Sequence, residues 1–216
     1  MHKKLLNNIQ HVCFDLDGTL VDSYLTIYKT TVKTLEVLNI PGSFSKDDLS
    51  KRIGHHFDDI FRELNIPVPD VDYFIKVFRT YYFDFIDDSI LYPGVADVLD
   101  YLKNEGISVS LLTTKGQEQA DRIIDHFNLR HNFSLVMGIR EGIQIKPLPG
   151  GLLMICKELN ILPAHSMMVG DTELDIRCGI NAGVKTCGVT YGYRTRELLQ
   201  AEHPDFIIDK ITELIE

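Results

Sequence analysis

The sequence reads as an α/β protein, a Rossmann-like parallel-sheet core carrying an inserted all-helical cap. Three observations support this. The short apolar run Val12–Leu16 has the length of a buried strand and leads through Asp15 and Asp17 into a Gly18-Thr19 turn. From about Ser23 to Ser89 the apolar spacing is helical, with no strand candidate of weight. From Leu91 onward, strands alternate with helices, the pattern of a parallel sheet with right-handed crossovers. The boundaries assign residues 1–22 and 90–216 to the core and 23–89 to the cap.

Within the cap, Leu25, Tyr28, Val32, Leu35 and Leu38 recur at helical spacing over Tyr24–Leu38, and Asn39, Pro41 and Gly42 end that helix. Ser45, with Asp48 three residues later, forms a box-like start for a short helix. Phe57–Leu64 and Val71–Ile86 read as two further amphipathic helices. The aromatic run from Tyr73 to Phe85 falls at helical spacing and reads as cap core rather than a base-stacking platform. In the core, Tyr92-Pro93-Gly94 is a turn and Val95–Asn104 a helix closed by Gly106. Strand and helix then alternate through Ile107–Leu112, Gln117–Phe127, Phe133–Met137 and Pro149–Leu159. Met167–Val169 is a strand and Thr172–Asn181 a helix ended by Gly183. Lys185–Val189 and Phe206–Ile208 are the last strands.

A net charge of −9 over 216 residues argues against a non-specific nucleic-acid binder, which needs a basic face. It leaves room for an anionic small substrate, because a local cation outweighs a distant mean charge. The four cysteines form no C-x-x-C pair, so neither a zinc nor a redox motif is present. They read as buried free thiols suited to a reducing cytosol. No signal peptide and no run of transmembrane length is recognisable, so the expectation is a cytoplasmic protein without a membrane or nucleic-acid partner. The sequence does not fix whether it is a monomer or a dimer.

In open parallel sheets, ligands sit beyond the carboxyl ends of the strands. There the sequence sets Asp15 and Asp17 after the first core strand and Thr113 and Thr114 after the second. Lys146 falls in the loop after the third, and Asp171 and Asp175 follow the fourth. Burying one ionised carboxylate is costly and crowding several is worse, so the cluster implies a cation or a reactive carboxylate. A hard-oxygen site of this kind suits Mg²⁺ shared between carboxylates, waters and phosphate oxygens. Lys146 and the hydroxyls complement an anion. Backbone N–H groups of Leu16-Asp17-Gly18 and of Thr114-Lys115-Gly116 add a nest for phosphate oxygens. Together these are the parts of a phosphoryl-transfer site, whereas neither a P-loop nor a G-x-G-x-x-G motif occurs.

Four motifs in order resemble the haloacid dehalogenase superfamily. They are Asp15-Leu16-Asp17-Gly18-Thr19, the strand end at Thr113, Lys146-Pro147-Leu148-Pro149, and Gly170-Asp171-Thr172-Glu173-Leu174-Asp175. Leu91-Tyr92-Pro93-Gly94-Val95 and Val189-Thr190-Tyr191-Gly192-Tyr193 also look like stretches of its phosphoglycolate phosphatase subgroup, whose members carry a helical cap after the first motif. The resemblance spans nearly the whole chain and is weakest from Ser43 to Asp88. It implies Asp15 as the nucleophile that forms an aspartyl phosphate, and Asp17 as acid and then base. It implies Mg²⁺ held by Asp15, Asp171 and the backbone carbonyl of Asp17. Thr113 and Lys146 would hold the phosphoryl group, and Asp175 would support Lys146 or a metal-bound water. Where the family usually has Asn after the Thr or Ser, this chain has Thr114.

In related enzymes a cap loop dips over the site, which makes Arg52, His55 and His56 candidates for reading the leaving group. A plain surface loop is the competing account. Joints near Asp22-Ser23 and Ser89-Ile90 would let such a cap open and close. The expected function is Mg²⁺-dependent hydrolysis of a small phosphomonoester, with 2-phosphoglycolate the leading substrate. A sugar phosphomutase, a pyrophosphatase and a nucleotidase are the alternatives. Asp17 favours phosphate over halide chemistry, because an alkoxide leaving group needs an acid and a halide does not.

Overall fold

The first strand, β1 (His11–Phe14), is buried along its whole length in the computed structural model, which describes residues 5–216. After a turn at Leu16–Leu20 the chain enters β2 (Val21–Asp22) and a helical stretch. This comprises α1 (Tyr24–Val37), α2 (Lys46–Ser50), α3 (Phe57–Glu63) and α4 (Val71–Tyr81), followed by a 3₁₀ segment, Tyr82–Asp88. β3 (Ile90–Leu91) then pairs with β2 in a two-stranded sheet. The remainder alternates: α5 (Val95–Asn104), β4 (Ser108–Gly116), α6 (Gln117–His126), β5 (Leu135–Ile139), α7 (Gly150–Glu158) and β6 (Ser166–Gly170). It ends with α8 (Glu173–Ala182), β7 (Lys185–Val189), α9 (Arg196–Ala201) and β8 (Phe206–Ile208). Two compact units result, one of residues up to Leu20 with Leu91–Glu216, the other Val21–Ile90.

The larger unit is built on a six-stranded parallel sheet in the order β5-β4-β1-β6-β7-β8. β1 lies between β4 and β6, with Phe14 opposite both Leu111 and Val169. This register sends the residues just beyond all three strands to one edge. Beneath it, Cys13, Leu112, Met137 and Met168 from the sheet pack with Leu152, Ile155 and Cys156 of α7 and Cys178 of α8. All four cysteines are buried free thiols. At the other end of β1, His11 is fully buried between Ser166 (Nδ1 to Oγ, 3.0 Å) and Ser110 (Nε2 to Oγ, 2.8 Å).

Burial pushes the His11 imidazole down to about 4, so it is neutral in the folded chain. Its folded value lies below the unfolded one near 6.5. Its contribution to stability is therefore present above pH ~6.5 and is lost as pH falls through 4. Between those limits the melting temperature of His11→Gln is expected to depend less steeply on pH than that of the parent. Parallel curves would show that His11 does not titrate as stated.

The smaller unit has its own core. Phe57, Phe61, Phe74 and Phe78 meet in edge-to-face and stacked pairs, with Phe61 and Phe74 4.7 Å apart between ring centres. Such pairs contribute about 0.5–1.5 kcal/mol each beyond area burial. α1 buries four threonines, and Thr30, Thr31 and Thr34 each donate to the carbonyl four residues back at 2.7 Å. Ser45 and Asp48 close the expected capping box on α2. The single helix expected over Val71–Ile86 divides at Tyr82, where α4 tightens into the 3₁₀ segment, a common helix ending. No helix among the described residues is long and apolar enough to cross a membrane.

Candidate active site

Asp15 follows β1 directly, its amide bonded to the Val169 carbonyl of β6 at 2.9 Å. Lys146 reaches it from the segment between β5 and α7, with Nζ 2.6 Å from Asp15 Oδ1 and 2.6 Å from Asp175 Oδ1. All three are buried. Asp175 sits in the first turn of α8, and its Oδ2 accepts from Thr172 N (3.0 Å) and Thr172 Oγ1 (2.6 Å). One side chain therefore caps a helix and anchors the lysine, and both of its oxygens are committed.

Asp171, just past β6, is fully buried. It accepts from Thr19 Oγ1 at 3.1 Å and from Tyr193 N at 2.8 Å. Gly18, at φ +83°, makes this close approach feasible, since a Cβ there would fall 2.2 Å from Asp171 Oδ2. Asp17 is paired with Lys115, Nζ to Oδ2 at 3.1 Å. The Thr113 hydroxyl accepts from Lys115 N at 3.2 Å, and Thr114 beside it is half-buried. Both threonines belong to β4, which runs on to Gly116 past the expected end at Leu112, through a register break against β5. The backbone irregularity is invisible to a period-2 pattern.

Electrostatics follow from crowding. Burial, with Asp175 and Asp17 nearby, raises Asp15 to about 7 against the pull of Lys146. Burial first, then Asp175 and Asp15, hold Asp171 well above the usual carboxylate range; the Tyr193 N–H and Arg194 oppose this. Burial alone would lower Lys146, yet Asp15 and Asp175 outweigh it and its pKa is raised. Asp15, Asp17, Asp171 and Asp175 outnumber the cations set against them, Lys146 and Lys115 with Arg194 acting on Asp171, so the cluster is short of positive charge. One oxygen each from Asp15, Asp171 and Asp175 lies within 4.8 Å of the others. The donors are hard oxygens, which fits a small divalent cation such as Mg²⁺.

A family model described as haloacid dehalogenase-like hydrolase matches residues 12–189. The chain belongs to the haloacid dehalogenase-like hydrolases. It is 31% identical over 208 residues to a protein named pyrophosphatase PpaX from Bacillus cereus, covering 96% of this chain and 95% of that one. Among solved structures, a predicted phosphoglycolate phosphatase from Haemophilus somnus superposes with a TM-score of 0.84. It is 28% identical, with 94% of this chain and 95% of that one covered. A predicted phosphatase from Clostridium acetobutylicum gives 0.81 at 27% identity, covering 95% and 96%.

In this haloacid dehalogenase-like hydrolase, Asp15, Asp17, Thr113, Lys146, Asp171 and Asp175 converge on one sheet edge with Leu16, Gly18 and Thr114 adjacent in the chain. Arg52, His55 and His56 belong to the smaller unit. There Arg52 pairs with Glu63 (2.8 Å) and donates to the Asp48 carbonyl (2.6 Å). His56 caps α3, its Nδ1 3.4 Å from Asp58 N. The His55 amide closes a turn on the Arg52 carbonyl at 3.1 Å. The sequence pattern marks only the backbone amide of Lys115, not its side chain. Its signal was a basic residue two positions past Thr113.

Proposed function

We propose that this chain is a Mg²⁺-dependent phosphatase that hydrolyses a small phosphorylated metabolite through an aspartyl phosphate at Asp15. The observation that carries the reading is buried Asp15, gripped through Oδ1 by Lys146 within a cluster of carboxylates short of positive charge. Asp15, Asp171 and the Asp17 backbone carbonyl would hold the ion, which when bound supplies the positive charge that lets a dianionic phosphate approach a carboxylate. Lys146 orients Asp15 and neutralises a phosphoryl oxygen. The Asp15 carboxylate attacks phosphorus, the bond to the leaving oxygen breaks, and Asp17 gives that oxygen a proton. Asp17 then takes a proton from the water that attacks the aspartyl phosphate, releasing phosphate and restoring Asp15. Thr113 donates to a phosphoryl oxygen, with Thr114 and the amides of Leu16 and Gly18 as further contacts.

2-Phosphoglycolate is the leading substrate, supported by the likeness to the Haemophilus somnus protein. Pyrophosphate is the second reading, favoured by the near full-length likeness to the Bacillus cereus pyrophosphatase. Phosphate release from 2-phosphoglycolate, pyrophosphate, sugar phosphates and nucleoside monophosphates, with Mg²⁺ or with EDTA, tests both. Equal rates in EDTA, or no release from any of them, would sink the proposal. Asp17→Asn separates the two leaving groups. An alkoxide departs poorly without a proton, so 2-phosphoglycolate turnover is expected to fall about 10²–10⁴-fold. Phosphate is a far better leaving group, so pyrophosphate turnover should fall less. Equal losses would remove Asp17 from the acid role.

A further inference from the structure

Lys115 is a charged side chain of this edge to which the phosphatase scheme gives no task. Its Nζ lies 3.1 Å from Asp17 Oδ2, and both side chains are only 10% exposed. The backbone beneath it is fixed from several sides. Its amide donates to Thr113 Oγ1 at 3.2 Å. Its carbonyl packs so closely on Gly138 that a Cβ there would come within 2.7 Å. Gln117, two residues on, clamps β5 by donating to the Val136 carbonyl (3.1 Å) and accepting from Gly138 N (2.9 Å). The register break between Leu112 and Gly116 lies across this segment, and such breaks re-aim side chains beside active sites. A flexible stem therefore springs from an immobile root and delivers its ammonium to Asp17.

Asp17 is the group assigned to protonate the departing oxygen, which places it within about 2.6–3.2 Å of that oxygen during the reaction. A cation 3.1 Å from the same carboxylate is then a neighbour of whatever else the departing oxygen carries. Lys146 is engaged elsewhere, shared at 2.6 Å between Asp15 and Asp175 on the side of the transferred phosphoryl group. For a neutral alcohol, an ammonium in this position contributes little. A second anionic group on the leaving side would otherwise meet an edge rich in carboxylates, and Lys115 offers it an opposite charge.

Resting on the phosphatase reading, we propose that Lys115 is the specificity residue that selects substrates whose leaving group bears its own anionic group within two bonds of the departing oxygen. A carboxylate, as in 2-phosphoglycolate, and a second phosphate, as in pyrophosphate, share this chemistry.

The test compares kcat/KM for 2-phosphoglycolate and for pyrophosphate with that for ethylene glycol monophosphate, whose leaving group is neutral, in the full-length Mg²⁺-loaded protein. The wild type is expected to favour at least one anionic substrate. Lys115→Met should lower that preference tenfold or more, mainly through KM, and Lys115→Arg should recover part of it by restoring charge. A fall confined to 2-phosphoglycolate identifies a carboxylate as the group read, and one confined to pyrophosphate identifies a phosphate. A preference changed less than twofold, including an equal loss on all three substrates, overturns the proposal while leaving the phosphatase reading intact. No release by the wild type from any of the three overturns both. Thermal melts of both variants, unchanged within a few degrees, exclude misfolding as the source of a changed ratio.

Discussion

Asp15→Asn is expected to remove phosphate release almost completely, lowering kcat on the order of 10⁴-fold or more, the scale seen when a covalent nucleophile is deleted. The amide carbonyl keeps an acceptor for Lys146 Nζ, which lies 2.6 Å from Oδ1 in the parent, so the architecture survives. What is lost is, among the described residues, the carboxylate that combines contact with Lys146 and a position directly after the central strand. Asp175 also touches Lys146, but its second oxygen is held by Thr172, so it is no substitute. Acid quench of the parent during turnover should trap a phosphoprotein that hydroxylamine cleaves, and the variant should trap none. Residual activity within tenfold of the parent would displace Asp15 as nucleophile.

Asp171→Asn is expected to split activity from stability. Losing one charged ligand of the proposed ion should cut activity at least about 100-fold, the upper range for disturbing even the surroundings of a metal site. The metal-free variant should nevertheless melt higher than the metal-free parent. Asp171 is fully buried and held well above its ordinary pKa, so ionising it in the folded chain is costly. An asparagine accepts from Tyr193 N and donates to Thr19 Oγ1, keeping both contacts without the charge. Relief of a buried charge crowded by other carboxylates is worth about 1–3 kcal/mol, or a gain of roughly 2–12 °C for a chain of this size.

The pH dependence has a definite sign. Asp15 and Asp171 are raised in the fold, so their contribution to stability is full below their unfolded values near 4. It is lost as pH rises through the folded values, about 7 for Asp15. On the proposed Mg²⁺ site the ion would take the ionised forms, so the rise in melting temperature it produces should grow between pH 4 and 7 in the parent. In Asp171→Asn that rise should largely vanish. Comparing Mg²⁺ with EDTA at each pH cancels the opposing titration of His11. A Mg²⁺ effect equal in parent and variant would remove Asp171 from the ion's ligands.

The sequence carried the fold wherever periodicity was long or punctuation strong. The helix at Val95–Asn104 and the strands Lys185–Val189 and Phe206–Ile208 fall where their patterns put them. α9 escaped because its six residues bury only Leu199, too little for a period to show. The full length of β4 escaped because a register break interrupts alternation at the point where Thr113 and Lys115 matter. At the site, acidic residues were legible because buried carboxylates need a reason. Their partners were harder to see. That Asp175 caps its own helix while gripping Lys146 depends on which way two oxygens point. That Arg52 pairs with Glu63, and that His56 caps α3, are likewise matters of side-chain direction that spacing does not encode.

The central position of β1 also bears on how the chain is made. His11 and its partner Ser166 are 155 residues apart, and both neighbours of β1 are synthesised after the whole of Val21–Ile90. At ribosomal speeds of about 5–20 residues per second, β1 waits roughly 8–30 s for its second neighbour. Throughout that interval an apolar strand whose backbone expects a partner on each side is exposed to other nascent chains. The inserted unit is complete in sequence before either neighbour of β1 is made, so it has time to form first. The arrangement that brings Asp15 to the middle of the sheet edge thus leaves β1 without its β6 neighbour until β4 and β5 have both been made.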